Sequence, residues 1–315
     1  MRILNAAIAF LSLFLLFCFF SQYSHSKTWY VKQDGSGDAP TIQAAIDSSG
    51  VNDTVLVASG FYEQPGILVD YNKIGLNIFG ESGDQLTILQ CSNISQIILI
   101  EAWNVTIRGF TFANSPLGLK INLGSDIIVE QNTFVNNDSD GIAMINSAYV
   151  YCANNLIYSN HNDGIHVSDC GNYITIENNT IAFNNRFGMY LDDCGFYDVH
   201  NNIIAHNETG VYSWCPNIIF SCNDVVGNAT NYELILLPDP TGSNGNMSYI
   251  IQFCDIYAQD SGNFFLQSDS PCAPGNNPYD PTCELIGRYP VGCGNTAIKI
   301  ESWGNLKGRF KDKIN

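Results

Sequence analysis

Apolar residues recur through the middle of the chain in short alternating segments that repeat every 21 to 24 residues. Phrases such as Asn-Asn-Leu-Ile and Asn-Asn-Thr-Ile align into one column, which reads Phe110, Asn132, Asn155, Asn179, Asn202 and Asn223. Apolar residues stand five and three positions before this column and two positions after it. Because side chains two apart share one face of a strand, this pattern predicts short β-strands that line one interior.

A glycine column keeps step with the asparagine column and reads Gly118, Gly141, Gly164, Gly188 and Gly210. A second short strand with alternating apolar residues follows each glycine, and no amphipathic helical segment separates the strands. The pattern predicts an all-β fold, a right-handed parallel β-helix in which each strand pairs with its copies one coil above and below. The aligned asparagines are expected to form an internal amide ladder. A leucine-rich repeat shares the period, but its Leu-x-x-Leu-x-Leu segment is absent.

Both ends of such a solenoid need covering, since an open end exposes unpaired strands. Residues 27–54 predict an N-terminal cap with a short helix, because the segment TIQAAIDSS has helical spacing behind Pro40. The β-helix is expected over residues 55–270. Residues 271–298 predict a disulfide-stapled C-terminal loop cap, and residues 299–315 form a basic tail.

Residues 1–26 have the pattern of a signal peptide, with Arg2, an apolar stretch and a run of small residues. We therefore expect a secreted or cell-surface protein without a transmembrane segment after signal removal. Ten cysteines remain, so disulfides are expected, although spacing does not give their pairing. On adjacent coils, Cys170 and Cys194 would form a bridge or a buried thiol stack. The candidates for disulfides are Cys170, Cys194, Cys272, Cys283 and Cys293.

The net charge of −17 makes several partners unfavourable. An acidic body repels the phosphate backbone, so nucleic acid is not an expected partner. It also repels acidic glycans unless a bound cation bridges the two. A monomer is expected, with no required cofactor.

Strand alternation after the glycine column places a group of polar and aromatic side chains on the outside of successive coils. These residues are His166, Tyr190, Asp192, Tyr212 and Trp214, with Asp169 and Asp193 at the margin and Asp163 in the preceding turn. Aromatic rings beside carboxylates suit a sugar ring, so this group is the predicted polysaccharide-binding site, with Arg186 as a further contact. The alternative is an ordinary outer sheet face with stacked aromatic side chains.

Several reactions could use these residues. A hydrolase would pair two carboxylates, here Asp192 with Asp163 or Asp169, and His166 is a further catalytic candidate. A lyase would need a cation and a base such as Arg186 or Lys120.

Metal binding at this margin is a separate question. Asp169 and Asp193 could hold Ca²⁺, although two carboxylates are a minimal ligand set and a solvated acidic surface is the favoured interpretation.

The opening segment, from Trp29-Tyr-Val-Lys-Gln-Asp-Gly to Asp53-Thr-Val-Leu-Val and Glu63, resembles the N-terminal module of the pectin-lyase-like β-helix superfamily. The resemblance implies secreted polysaccharide lyases, glycosidases, esterases, adhesins and passive surface proteins alike, so it implies a fold without one function. Asn162-Asp163-Gly164 and Asp192-Asp193-Cys194 are similar to polygalacturonase signatures, but their register differs from that family. Pectin methylesterase signatures are absent. The leading hypothesis is a polysaccharide-binding protein, with cleavage left open, and the alternative is a non-catalytic structural or adhesive protein.

Overall fold

The computed structural model describes residues 26–63, 65–92, 96–192, 195–255 and 257–293. In these ranges the chain winds into a solenoid, and each full coil contributes one strand to each of three sheets. All pairings between the named strands are parallel, so the predicted right-handed parallel β-helix is confirmed. Nearly all of the predicted signal peptide and the whole basic tail lie outside the described residues.

The strands are numbered in chain order and grouped by sheet. Sheet 1 contains β1 Thr28–Val31, β2 Thr54–Val57, β5 Asn77–Gly80, β8 Thr106–Arg108, β11 Ser125–Glu130, β14 Ala148–Ala153, β17 Ile174–Glu177, β20 Tyr197–His200 and β23 Ile218–Ser221. Sheet 2 contains β3 Gly60–Glu63, β6 Thr87–Gln90, β9 Thr111–Ala113, β12 Thr133–Val135, β15 Leu156–Tyr158, β18 Thr180–Ala182, β21 Ile203–Ala205 and β24 Asp224–Val226. Sheet 3 contains β4 Ile67–Val69, β7 Ile98–Ile100, β10 Leu119–Asn122, β13 Ile142–Ile145, β16 Ile165–Ser168, β19 Phe187–Leu191, β22 Thr209–Ser213 and β25 Thr230–Leu234.

Apolar side chains fill the interior, and equivalent positions of successive coils stack on one another. In sheet 3, Ile142 pairs with Ile165, which pairs with Met189, and all three are fully buried. Burial of such side chains is the main favourable contribution to folding. The alternating apolar and polar residues of the sequence are therefore the residues that alternately face the core and the surface.

The predicted asparagine ladder runs through the buried turn between sheets 1 and 2. The backbone N–H of Asn155 donates to Asn179 Oδ1 at 2.9 Å, and the Nδ2 of Asn155 donates to the same oxygen at 3.0 Å and to the carbonyl of Val129 at 2.9 Å. The same bonds continue to Asn223 and then to Asn246. Each side chain thus satisfies backbone groups that the turn would leave unpaired inside the protein.

The doubled asparagines of the repeat have separate roles. The first of each pair, as in Asn154, Asn178 and Asn201, has a left-handed backbone with φ between 51° and 56°. Asparagine tolerates this conformation better than most residues. The second asparagine of each pair belongs to the buried ladder.

A second asparagine ladder, which the sequence analysis missed, lies between sheets 2 and 3. Its members are Asn137, Asn160, Asn184, Asn207 and Asn228. This ladder explains the glycine column, because a Cβ on Gly164 would lie 2.9 Å from Asn184 Nδ2 and 2.6 Å from a methyl group of Ile181. Glycine is required where the chain passes this close to the next coil.

The N-terminal end carries the predicted short helix, α1 Ile42–Ser48. Thr41 caps it by accepting a hydrogen bond from the N–H of Ala44 at 3.1 Å. Ile42 and Ile46 are buried and join the solenoid core. Strand β1, which precedes the helix, already pairs with β2 in sheet 1.

The C-terminal segment folds back along the outside of sheet 2. It includes the short helix α2 Ala258–Ser261, and its buried Phe253, Phe264 and Leu266 join a second apolar cluster with outward residues of sheet 2, among them Tyr158 and Ala182. Arg288, near the end of the segment, pairs with Asp84 at 2.6 Å. The segment therefore covers a side of the solenoid in addition to its end. In the described ranges no helix is long and apolar enough to span a bilayer.

Two disulfides fix this segment, in agreement with the predicted C-terminal staple. Cys222 bonds to Cys283, and Cys254 bonds to Cys293. The prediction of a disulfide is wrong for Cys272, a buried free thiol that donates to Asp224 Oδ2 at 3.2 Å.

The proposed pairing of Cys170 with Cys194 has a different outcome. Cys170 is a free and buried thiol. Of the two predicted alternatives, the structure therefore shows a buried thiol and no disulfide at this position. Cys194 lies outside the described residues.

We predict that Asn179→Ala lowers the free energy of unfolding by about 3 kcal/mol, because it leaves the N–H of Asn155 and the carbonyl of Cys152 unpaired inside the protein. Urea unfolding followed by circular dichroism measures the change. Asn185→Ala is the matched control, because Asn185 is exposed, and its effect should stay within about 0.5 kcal/mol. Equal effects of the two substitutions would contradict the role of the ladder.

Asp224 makes the stability of the C-terminal segment depend on pH. Its carboxylate is fully buried and accepts hydrogen bonds from the N–H of Tyr249 and the thiol of Cys272, and burial raises its pKa to about 6. The folded protein therefore holds a proton that the unfolded chain releases near pH 4, so stability falls as pH rises from about 4 to about 6. The difference amounts to about 3 kcal/mol once both states are ionised.

We predict that Asp224→Asn raises the thermal midpoint at pH 8 and has little effect at pH 4, because the amide removes the buried charge and keeps the acceptor for Tyr249. Differential scanning calorimetry at the two pH values measures this. Asp126→Asn, an exposed aspartate, should show no such pH dependence. If Asp224→Asn destabilised the protein equally at both pH values, the pH dependence of stability could not be assigned to Asp224.

Candidate functional site

The parallel register brings the predicted outward residues of sheet 3 into two adjacent columns. His166 pairs with Tyr190, and Tyr190 pairs with Tyr212, so these three occupy one column on successive coils. Asp192 and Trp214 directly follow the paired residues Leu191 and Ser213, so they continue the neighbouring column. We call these five residues the aromatic face.

The rings of the first column stack on one another along the solenoid axis. The centroids of His166 and Tyr190 are 4.6 Å apart with planes at 19°, and those of Tyr190 and Tyr212 are 5.3 Å apart at 5°. Phe187 stacks on Tyr212 from the side at 5.0 Å. Stacking covers the flat faces of these rings, so their edges and polar atoms are what they present to a ligand.

Trp214 differs from the stacked rings, because 49% of its surface is exposed. Its Nε1 donates to the hydroxyl of Tyr212, which fixes the indole beside the column. The hydroxyl of Tyr190 donates to Asp192 Oδ2 at 2.9 Å. Burial, together with the bond to Asp192, raises the pKa of Tyr190 to about 12, so its hydroxyl stays protonated as a donor.

A buried carboxylate orients His166. Asp163 has no exposed surface, and its Oδ2 lies 3.0 Å from His166 Nδ1. Its Oδ1 accepts the N–H of Phe187 at 3.2 Å, and Arg186 Nη1 lies 3.8 Å from Oδ2. This contact orients the ring, with Nδ1 facing Asp163 and Nε2 on the other side of the imidazole. Asp163 and His166 thus form a dyad at the inner margin of the aromatic face.

Asp140 extends this dyad and was missed by the sequence analysis. It accepts the N–H of Asp163 at 3.1 Å and the side-chain amide of Asn162 at 2.6 Å. Burial raises the pKa of Asp140. The signal was present in the repeat, because Asp140 precedes Gly141 as Asp163 precedes Gly164.

The remaining predicted residues lie at the edges of the site. Asp169 is exposed at the corner after β16, with a left-handed φ of 55°. Asp193, its predicted partner for Ca²⁺, lies outside the described residues, so the calcium site stays a prediction. Arg186 lies over the ring of Phe187, with its guanidinium carbon 4.3 Å from the ring centroid. Because Asp163 is buried and hydrogen-bonded, it cannot contact a ligand directly and acts on one only by orienting His166.

A second exposed aromatic ladder lies outside the aromatic face. Tyr149 stacks on Tyr173 at 6.4 Å, and Tyr173 contacts Phe196 at 5.0 Å. The tyrosines are 50% and 55% exposed, which is close to the exposure of Trp214. An aromatic ladder on this solenoid therefore does not by itself indicate a ligand, and the neighbouring polar groups distinguish the aromatic face.

The fold and the register define a parallel β-helix protein of the pectin-lyase-like class. Residues 48–234 match the family model described as "Periplasmic copper-binding protein (NosD)", so the chain belongs to the NosD family. A search of curated proteins gives no match.

Solved structures share the architecture at low sequence identity. Pectate lyase Pel9A is 14% identical, with a TM-score of 0.54 over 86% of this chain and 98% of that chain. An alginate lyase from Paenibacillus sp. str. FPU-7 is 11% identical, with a TM-score of 0.46 over 64% and 81%. A pectin methylesterase in complex with a hexasaccharide is 12% identical, with a TM-score of 0.43 over 65% and 80%. At such identity the likeness shows the fold alone.

The family description raises the question of whether these residues suit copper. Among the residues that the structure describes, the one group of three potential ligands with donor atoms within 4.8 Å of one another is Asp140, Asp163 and His166. Copper sites favour imidazole, thiolate and thioether ligands, whereas this group offers one imidazole and two carboxylates. Those carboxylates already accept hydrogen bonds from Asn162 and Phe187. The group does not fit a copper site.

Proposed function

We propose that this protein acts outside the cytoplasm and binds a polysaccharide on the aromatic face of sheet 3. The observation that carries the proposal is the exposed indole of Trp214, held beside Tyr212 and next to the hydrogen-bonded pair of Tyr190 and Asp192. A family described as periplasmic and two disulfides support the location. A structural neighbour named as a pectate lyase supports a polysaccharide ligand.

The chemistry of the face suits a sugar chain. The apolar side of a pyranose ring packs on an exposed indole, and sugar hydroxyls donate to carboxylates such as Asp192. Because successive coils repeat along the solenoid, Trp214, Tyr190 and His166 form an extended row instead of a closed pocket. An extended row favours a polymer over a small molecule.

We predict that Trp214→Ala weakens polysaccharide binding about tenfold, the loss of roughly 1.4 kcal/mol of stacking. Affinity electrophoresis in gels that contain single polysaccharides measures the change. The matched control is Tyr173→Ala, because Tyr173 has similar exposure in the second ladder.

Binding that survives Trp214→Ala, or that Tyr173→Ala weakens equally, would place the site elsewhere. Retention of the unchanged protein by none of the polysaccharides would refute the proposed function.

Cleavage of the bound chain is a second candidate function, which the dyad of Asp163 and His166 favours. A buried carboxylate that orients an imidazole is an arrangement suited to proton transfer. Asp163 would act as a positioning residue, since it touches His166 and no exposed surface. The alternative on the same face is binding alone, as in a structural or adhesive protein.

If the protein cleaves its ligand, we predict that His166→Ala lowers kcat/KM roughly 10²- to 10⁴-fold, with affinity changed by less than about threefold. Reducing-end and unsaturated-product assays measure the rate, and affinity electrophoresis measures binding. Asp163→Asn should lower kcat and alter the pH profile, because the amide no longer fixes the imidazole. Product release at an unchanged rate by His166→Ala would refute this role, and binding without products would favour the structural or adhesive alternative.

A further inference from the structure

We infer that the ligand of the aromatic face is an uncharged polysaccharide rather than a polyuronate, an inference that rests on the proposed function. The inference is based on the distribution of charge around Trp214. Asp192 lies one coil away in the column of Trp214, and Glu233 pairs with Tyr212 in the next coil of the neighbouring column.

A further carboxylate lies at the edge of the same face. Asp169 is exposed at the corner after β16, one coil before Asp192. Glu101 shares the column of Asp192 but lies four coils away from it, so it does not contribute to the charge around Trp214.

The cations near the face are few. The Arg186 side chain is 48% exposed, but the buried carboxylate of Asp163, 3.8 Å from its Nη1, offsets its charge. Lys120 shares the column of Tyr190 but lies three coils away, roughly 14 Å at the usual strand spacing. Asp192, by contrast, is one coil from Trp214, so its charge acts on a ligand there more strongly than that of Lys120. In the described ranges, therefore, carboxylates lie closer to Trp214 than any unpaired lysine or arginine.

These charges distinguish two classes of sugar polymer. A polyuronate carries one carboxylate per ring, so the rings bound beside Trp214 would meet like charge. A neutral polysaccharide has only hydroxyl groups, which donate to carboxylates and carry no repulsion. The same surface that repels the first class supplies hydrogen-bond acceptors to the second.

The test compares the two classes directly with the mature protein. Affinity electrophoresis at low ionic strength would use hydroxyethylcellulose, galactomannan and mixed-linkage glucan as neutral polymers, and polygalacturonate and alginate as acidic ones, with calcium chloride or with EDTA. We expect retention by at least one neutral polymer, unchanged by added salt, and at least tenfold weaker retention by both polyuronates. Equal or stronger retention by a polyuronate, with or without calcium, overturns the inference and leaves the proposed function standing. Retention by no polymer overturns both.

Variants test whether the local charge is the cause. Asp169→Asn together with Glu233→Gln removes two exposed charges beside the face, and both changes preserve shape. We expect this double variant to gain at least threefold in affinity for polyuronate at low salt, an effect that added salt abolishes.

The matched control is Asp126→Asn together with Glu284→Gln, which removes the same charge from exposed positions outside the aromatic face. It should leave polyuronate binding unchanged. An equal gain in both double variants would assign the discrimination to net charge and overturn the local role of the aromatic face.

Discussion

Every part of this molecule depends on pairing the backbone groups at the turns of its coils. Strands satisfy one another across neighbouring coils, but the turns enter the interior with N–H and carbonyl groups that the sheets cannot pair. Two buried asparagine ladders solve this problem. Within each ladder the side-chain oxygen accepts from the coil before it and the side-chain N–H donates to a carbonyl of that coil, except that the oxygen of Asn137, where the second ladder begins, accepts no hydrogen bond. The spacing of the ladders fixes the register of all three sheets, because an amide one position out of step would leave several buried groups unpaired.

The candidate site is a consequence of that register. His166, Tyr190 and Tyr212 are 22 to 24 residues apart in the chain, yet their rings stack. They stack because hydrogen bonds between Asn160, Asn184 and Asn207 hold the same three coils in register. The same register sets Asp192 beside Tyr190 and Trp214 beside Tyr212. A rigid scaffold with variable outer positions explains how one fold can present many different surfaces.

The repeat made much of this predictable. The column of Asn155 and Asn179, the inward apolar positions and the outward column of Tyr190 all follow from one period. The capping helix after Pro40 follows from its own helical spacing. The second ladder was missed because Asn160 and Asn184 lie in loops without an apolar pattern around them. Asp140 was missed although it shares the position of Asp163, because its burial depends on the neighbouring coil.

The C-terminal segment shows where a periodic pattern stops being informative. Outward positions of sheet 2 carry Ala113, Val135, Tyr158, Ala182 and Ala205, an apolar column that indicates a covered surface but not what covers it. The disulfide partners of Cys283 and Cys293 are likewise set by contacts between residues 39 and 61 positions apart. No repeat relates these positions, so spacing gave no pairing.

The amino-acid sequence alone determined the period, the inward and outward positions and the excess of negative charge, because each is a property of residues in order along the chain. Only the tertiary structure decided that Asp163 is buried behind His166, that stacking covers the faces of Tyr190 and Tyr212 and leaves Trp214 exposed, and that the C-terminal segment covers sheet 2. Each of these depends on what another coil or a distant segment places against a side chain, and solvent exposure is fixed by those neighbours.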